Sequence, residues 1–138
     1  VRAAFNRLKA LSDDLHGDVQ ITTAMRAVME TLFEAGAQTV PQIARAKGVT
    51  RQHIQLLADA LVKAGLAAVK DNPAHRRSSL IALTEKGKRA FVKMQAREAP
   101  IVEEMAWEFD AHELERATAV LERLAARIDE RLKTEAAS

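Results

Sequence analysis

The chain has 138 residues, the size of one domain, and its 48% hydrophobic content is enough to bury a core. Aromatics make up only 4%, with no Tyr and one Trp, so that core must be Leu, Val, Ile, Ala and Met, which favours helices over a β-sandwich. A net charge of +2 does not by itself announce a nucleic-acid partner, and the lack of cysteine excludes a disulfide framework, a thiolate metal site and a cysteine redox switch.

No run approaches the ~20 consecutive apolar residues that span a bilayer, and no charged start with an apolar block resembles a signal peptide. A soluble cytoplasmic protein without a membrane partner is expected. Because the chain opens on Val1 rather than Met, a few residues are expected ahead of it.

Phe5, Leu8, Leu11 and Leu15 recur at helical spacing among charged residues, which predicts an amphipathic helix over 3–16 ended by Gly17. Thr22 or Thr23 can cap a second helix with Met25, Val28, Met29, Leu32 and Phe33 on its buried stripe and a stop near Gly36. Thr39-Val40-Pro41-Gln42 has capping-box spacing, and Pro is tolerated in a first helical turn; this third, short helix closes at Gly48. Thr50 then caps a fourth helix. Its apolar face is Ile54, Leu57, Ala58 and Leu61, which leaves Arg51, Gln52, His53, Gln55 and Asp59 on or near the other.

After Gly65 the pattern turns extended. Residues 66–70 and 79–83 read as two strands separated by the loop Asp71-Asn72-Pro73-Ala74-His75-Arg76-Arg77, a β-hairpin with a long tip. Thr84 starts a long helix through Phe91, Val92 and Met94 to Trp107, with a kink expected at Pro100. Asp110-Ala111-His112-Glu113 repeats the cap pattern and opens a last helix. Leu114, Ala117, Leu121, Leu124, Ile128 and Leu132 share one side of it, and fraying is expected beyond Lys133.

Two helices, a strand, a basic loop, a second strand and a new helix make the outline of a winged helix-turn-helix, in which the second helix of the pair enters a major groove. The mainly α fold expected is about six helices with a short hairpin wing. Arg51, Gln52, His53 and Gln55 are the candidate base readers, because Gln pairs bidentately with adenine and Arg with guanine. Taken alone, these residues equally suit a solvated helix face. His75, Arg76 and Arg77 at the wing tip are placed to reach phosphates or a minor groove. One arginine pairing with Asp71 or another nearby carboxylate to brace the loop is the competing role. Thr39, Gln42, Thr50 and Ser79 are expected to position phosphates.

The chain resembles the multiple-antibiotic-resistance regulator (MarR) family over nearly its whole length. Ile21-Thr22, Gln42-Ile43-Ala44, Gly48-Val49-Thr50-Arg51-Gln52, Leu61-Val62-Lys63-Ala64-Gly65-Leu66, Asn72-Pro73 with Arg76-Arg77, and Leu83-Thr84-Glu85-Lys86-Gly87 carry the resemblance. It implies a homodimeric regulator with interlocked terminal helices, usually a repressor released from DNA by a small aromatic or anionic ligand. Two positions depart from the family pattern. His75 stands where an acidic residue commonly precedes the wing arginines, and Leu56 stands where many members carry a recognition-helix arginine. Leucine there can meet a thymine methyl or pack inward.

Residues 1–138 are read as a single domain, with the DNA-binding lobe at 22–87 and dimerisation helices at 1–20 and 88–138. Phe5, Leu8, Leu11, Leu121, Leu124, Ile128 and Leu132 are the expected dimer contacts, since a lobe of this size cannot cover those stripes. A larger monomeric helical core is the alternative. A two-fold dimer would place its recognition helices roughly 34–36 Å apart on a near-palindromic operator.

His16, Met105 and Trp107 are candidate effector-pocket residues, although a tryptophan is ordinarily core and a histidine near a helix end ordinarily a surface cap. His16, His53, His75 and His112 lack ligand spacing, so no metal is expected, nor any cofactor. With no phosphate loop or nucleophile elbow, an enzyme is not expected either. A winged-helix protein-interaction module with an acidic partner is the alternative function.

Overall fold

The computed structural model describes residues 1–136. Its helices are α1 (Arg2–His16), α2 (Thr23–Ala35), α3 (Val40–Lys47), α4 (Arg51–Lys63), α5 (Glu85–Ala106) and α6 (Ala111–Ala136). Its strands are β1 (Gln38–Thr39), β2 (Ala67–Lys70) and β3 (Leu80–Leu83), and a 3-10 turn at Gly17–Val19 follows α1. No helix among the described residues is long and apolar enough to cross a membrane.

Local chemistry sets the boundaries. Thr22, not Thr23, caps α2, its hydroxyl accepting from Met25 N at 3.2 Å. Thr39 and Gln42 form the reciprocal capping box of α3, and Gly48 closes that helix at φ 65°, ψ 34°, a left-handed conformation that favours glycine. Thr50 caps α4 through His53 N. At the head of α6, Asp110 accepts from His112 N and Glu113 reaches back to Asp110 N.

The sheet order is β1-β3-β2, antiparallel throughout, with Ala67 opposite Leu83 and Val69 opposite Ile81 in the wing. Strand β1 was not expected. Two residues carry no readable alternation, and β1 exists because Gln38 and Thr39 pair with Ile81 and Leu80.

Contacts divide the chain into units 1–98 and 99–138, so α1 and the first part of α5 pack in one unit with the helix-turn-helix and the sheet. In the first unit Val28, Met29 and Leu32 of α2 pack with Ile43, Ile54, Leu61, Ile81, Phe91 and Met94. Phe33 departs from the expected stripe: it is exposed, with its ring 4.9 Å from that of Phe91. The division falls just ahead of Pro100, which lies inside α5 and removes one helical N–H.

The second unit has almost no core. Through Glu135 every side chain of α6 is exposed, and the helix continues past the expected fraying point at Lys133 to Ala136.

Candidate nucleic-acid interface

Helix α4 is oriented by Ile54, Ala58 and Leu61, all buried against the core. At 100° per residue that anchoring turns Gln52 and Leu56 outward, Arg51 and Gln55 toward one flank, and His53 toward the other. The surface follows this order. Arg51, Gln52 and Gln55 line a groove of about 500 Å3 together with Arg77, Ser78 and Ser79 of the wing, over a floor of Val40, Pro41, Val69 and Ile81. No acidic residue lines it.

Arg51 and Gln52 are exposed and have no side-chain partner among the described residues; Gln55 Nε2 donates to Asp59 Oδ1 at 2.9 Å. His53 stands apart from the other three. It lines a separate depression of about 260 Å3 with Phe5, Ala27, Lys47 and Leu57.

Asn72 organises the wing tip. Its Nδ2 donates to Ser78 O at 2.9 Å, its Oδ1 accepts from Ala74 N, and its carbonyl accepts from His75 N. His75, Arg76 and Arg77 are thereby held outward and exposed. No ion pair joins Asp71 or another carboxylate to either arginine among the described residues, so the brace is Asn72 and not the competing Arg–carboxylate pair. The Asn-Pro turn was the available signal for it.

The four expected phosphate contacts separate. Thr50 and Ser79 are exposed, and Gln42 is exposed with only its Oε1 engaged, by Thr39 N at 2.8 Å. Thr39 is corrected: at 7% exposure, with its hydroxyl accepting from Gln42 N, it is a buried helix cap with no face to offer a phosphate.

His16 is also corrected. It is fully buried rather than a surface cap, with Nε2 2.7 Å from Glu98 Oε1 and a buried Nδ1 that has no partner. Trp107 is 88% exposed rather than core, and Met105 is exposed beside it in sequence; both belong to the second unit. Of the expected dimer residues, Phe5, Leu8, Leu121, Leu124, Ile128 and Leu132 are exposed and Leu11 is half-buried. Leu56, at 65% exposure, does not pack inward.

No family model matches the chain. Uncharacterized proteins of Mycobacterium tuberculosis and Mycobacterium bovis are 51% identical to it over 61 residues, a match covering 44% of this chain and 43% of each relative. The chain thus spans less than half the length of the curated relatives it matches. Solved structures are similar over far more of it. A MarR family transcription regulator is 25% identical with a TM-score of 0.83, over 96% of this chain and 88% of that one. The S. aureus MepR–DNA complex is 18% identical with a TM-score of 0.82, over 92% and 94%. BpsR of Bordetella bronchiseptica, whose DNA binding is regulated by 6-hydroxynicotinic acid, is 22% identical with a TM-score of 0.79, over 90% and 89%. These neighbours are regulators or DNA-binding proteins, not enzymes.

Proposed function

The chain belongs by its fold to the MarR family of winged-helix transcription regulators, and from that premise we propose that it is a cytoplasmic, sequence-specific DNA-binding repressor acting as a homodimer on a near-palindromic operator. One observation carries the reading. Arg51, Gln52 and Gln55 on α4 share a single acid-free groove with Arg77 and two serines of the wing. Such a surface suits base edges on one side and the phosphate backbone on the other. Arg76 and His75 extend it at the tip, and the hydroxyls of Thr50 and Ser79 with Nε2 of Gln42 supply phosphate donors.

The homodimer is supported by the apolar stripe of α6, which has no cover of its own, and by Phe5 and Leu8 of α1. The effector is a small aromatic anion of the kind BpsR answers to. Its place is the depression where Phe5 and Leu57 meet Lys47 and His53, since an apolar floor with the Lys47 ammonium and an imidazole to hydrogen-bond fits such a ligand. None of the three expected lining residues, His16, Met105 and Trp107, lines it.

The test is a mobility shift against the gene's own upstream region at rising salt. Saturable binding is expected to weaken steeply with salt, and Arg76→Ala with Arg77→Ala to lower the logarithmic salt slope by about two. Binding with no sequence preference would overturn the reading in favour of an interaction module with an acidic partner.

A further inference from the structure

We propose that Leu56 reads a pyrimidine 5-methyl group, that of a thymine, beside the base pair met by Gln52. The proposal rests on the DNA-binding reading and gives it a specific sequence element.

Leu56 lies almost opposite the buried line of Ile54, Ala58 and Leu61, one turn beyond Gln52, and is 65% exposed. Gln55 beside it leans into the wing groove and ties down Asp59, while His53 leans into the depression on the other flank. Leu56 and Gln52 therefore form the crest of the helix, the part that penetrates deepest when α4 lies in a groove.

Isolated exposed leucines are ordinary on protein surfaces. This one occupies the crest of a polar face, where an arginine or glutamine would be equally soluble and would add a donor. Leucine can donate to neither a phosphate nor a base. In the major groove the thymine 5-methyl is the one apolar group that a standard base pair presents, and 5-methylcytosine presents the same group.

Spacing places the contact. Four helical residues advance about 6 Å along α4, and base pairs stack about 3.4 Å apart. The methyl group is one or two base pairs from the one paired by Gln52.

The experiment begins with selection of binding sites from randomised duplex DNA by the wild-type protein, followed by replacement of each selected thymine with deoxyuridine, which deletes only the methyl group. One thymine per half-site is expected to be sensitive, with a loss of about fourfold, the value of one buried methyl group. Leu56→Ala, which keeps a good helix former at an exposed position and should melt with the wild type, is expected to bind the thymine and deoxyuridine sites equally. Leu56→Met is expected to retain the discrimination. At the sensitive position 5-methylcytosine is expected to bind the wild type more tightly than cytosine, and Leu56→Ala to show no difference. A selected site with no methyl-sensitive thymine, or equal sensitivity in Leu56→Ala, overturns the role of Leu56 and leaves DNA binding standing. Failure to select any site overturns both.

Discussion

Glu98 grips Arg26 with both carboxylate oxygens, at 2.5 Å each, and its Oε1 also stands 2.7 Å from Nε2 of buried His16. The three residues tie α1, α2 and α5 together at the edge of the first unit, with Arg26 also stacked over the Phe91 ring at 5.4 Å. Partial burial pushes the Glu98 carboxyl up, but the hydrogen bonds from Arg26 and His16 and the charge of Arg26 outweigh it, and the net pKa lies below 4.5.

A folded-state value below the unfolded one means that the unfolded chain binds more protons. The stabilisation is therefore complete above 4.5 and is lost as pH falls through the lower folded value. Glu98→Gln should cost roughly 2 kcal/mol at neutral pH and flatten the acid limb of stability against pH. Urea midpoints measured from neutral pH downward check this; an acid limb unchanged in Glu98→Gln would assign it elsewhere. The exposed pairs Lys9–Asp13 and Arg97–Asp18 shift their carboxylates in the same direction, but solvent screens them.

Two glycines should answer the same substitution with opposite signs. A Cβ on Gly87 would overlap the carbonyl oxygen of Leu66, at the point where Thr84 donates to Gly65 O and Lys86 to Ala64 O. Gly87→Ala must push the start of α5 away from the base of the wing, at about 3 kcal/mol. Gly17 has an ordinary right-handed conformation, and a methyl group added there would meet nothing within 4 Å, so Gly17→Ala should gain about 0.5 kcal/mol through the unfolded chain. Thermal melts of the two variants decide it, and equal destabilisation would refute the steric account.

The helix starts were legible because a capping residue writes its role into three or four consecutive positions, as at Thr39–Gln42 and Asp110–Glu113. The wing was legible because its period changes at Gly65 and its tip carries Asn-Pro. Burial of His16 was not legible, since its partner Glu98 lies 82 positions away and only the tertiary fold brings them together. Thr39 misled for a related reason: a cap and a phosphate donor need the same hydroxyl, and pairing of β1 with β3 decides which role survives. His53 shares a helix with the other candidate readers, but only the neighbouring α1 and α2 show that its flank is not the wing's.

The caps Thr39 and Thr50 should therefore part company in function. Thr39→Ala is expected to lower stability by about 1–2 kcal/mol while leaving the DNA affinity of the folded protein unchanged, because its hydroxyl is buried. Thr50→Ala removes a similar cap from α4 at an exposed position. It should also weaken binding while leaving the salt slope unchanged, since a hydroxyl hydrogen-bonds a phosphate without neutralising it. Urea denaturation paired with mobility shifts separates the two effects, and a loss of affinity in folded Thr39→Ala would return that residue to the interface.

The proposed homodimer rests most on helix α6. It runs 26 residues with every described side chain through Glu135 exposed, and most helical stability comes from packing of an amphipathic face. Leu114, Leu121, Leu124, Ile128 and Leu132 lie on one side at spacings of three, four and seven. Near a two-fold axis such a stripe meets its own copy, so Leu124→Lys would set like charges facing each other in an apolar seam. Sedimentation should give a dimer for the wild type and a monomer for Leu124→Lys, with helical circular dichroism falling in the variant. Glu130→Lys, on the opposite side of α6 by helical periodicity, should remain dimeric. A monomeric wild type, or a dimeric Leu124→Lys, would show that the stripe is not what holds two copies together.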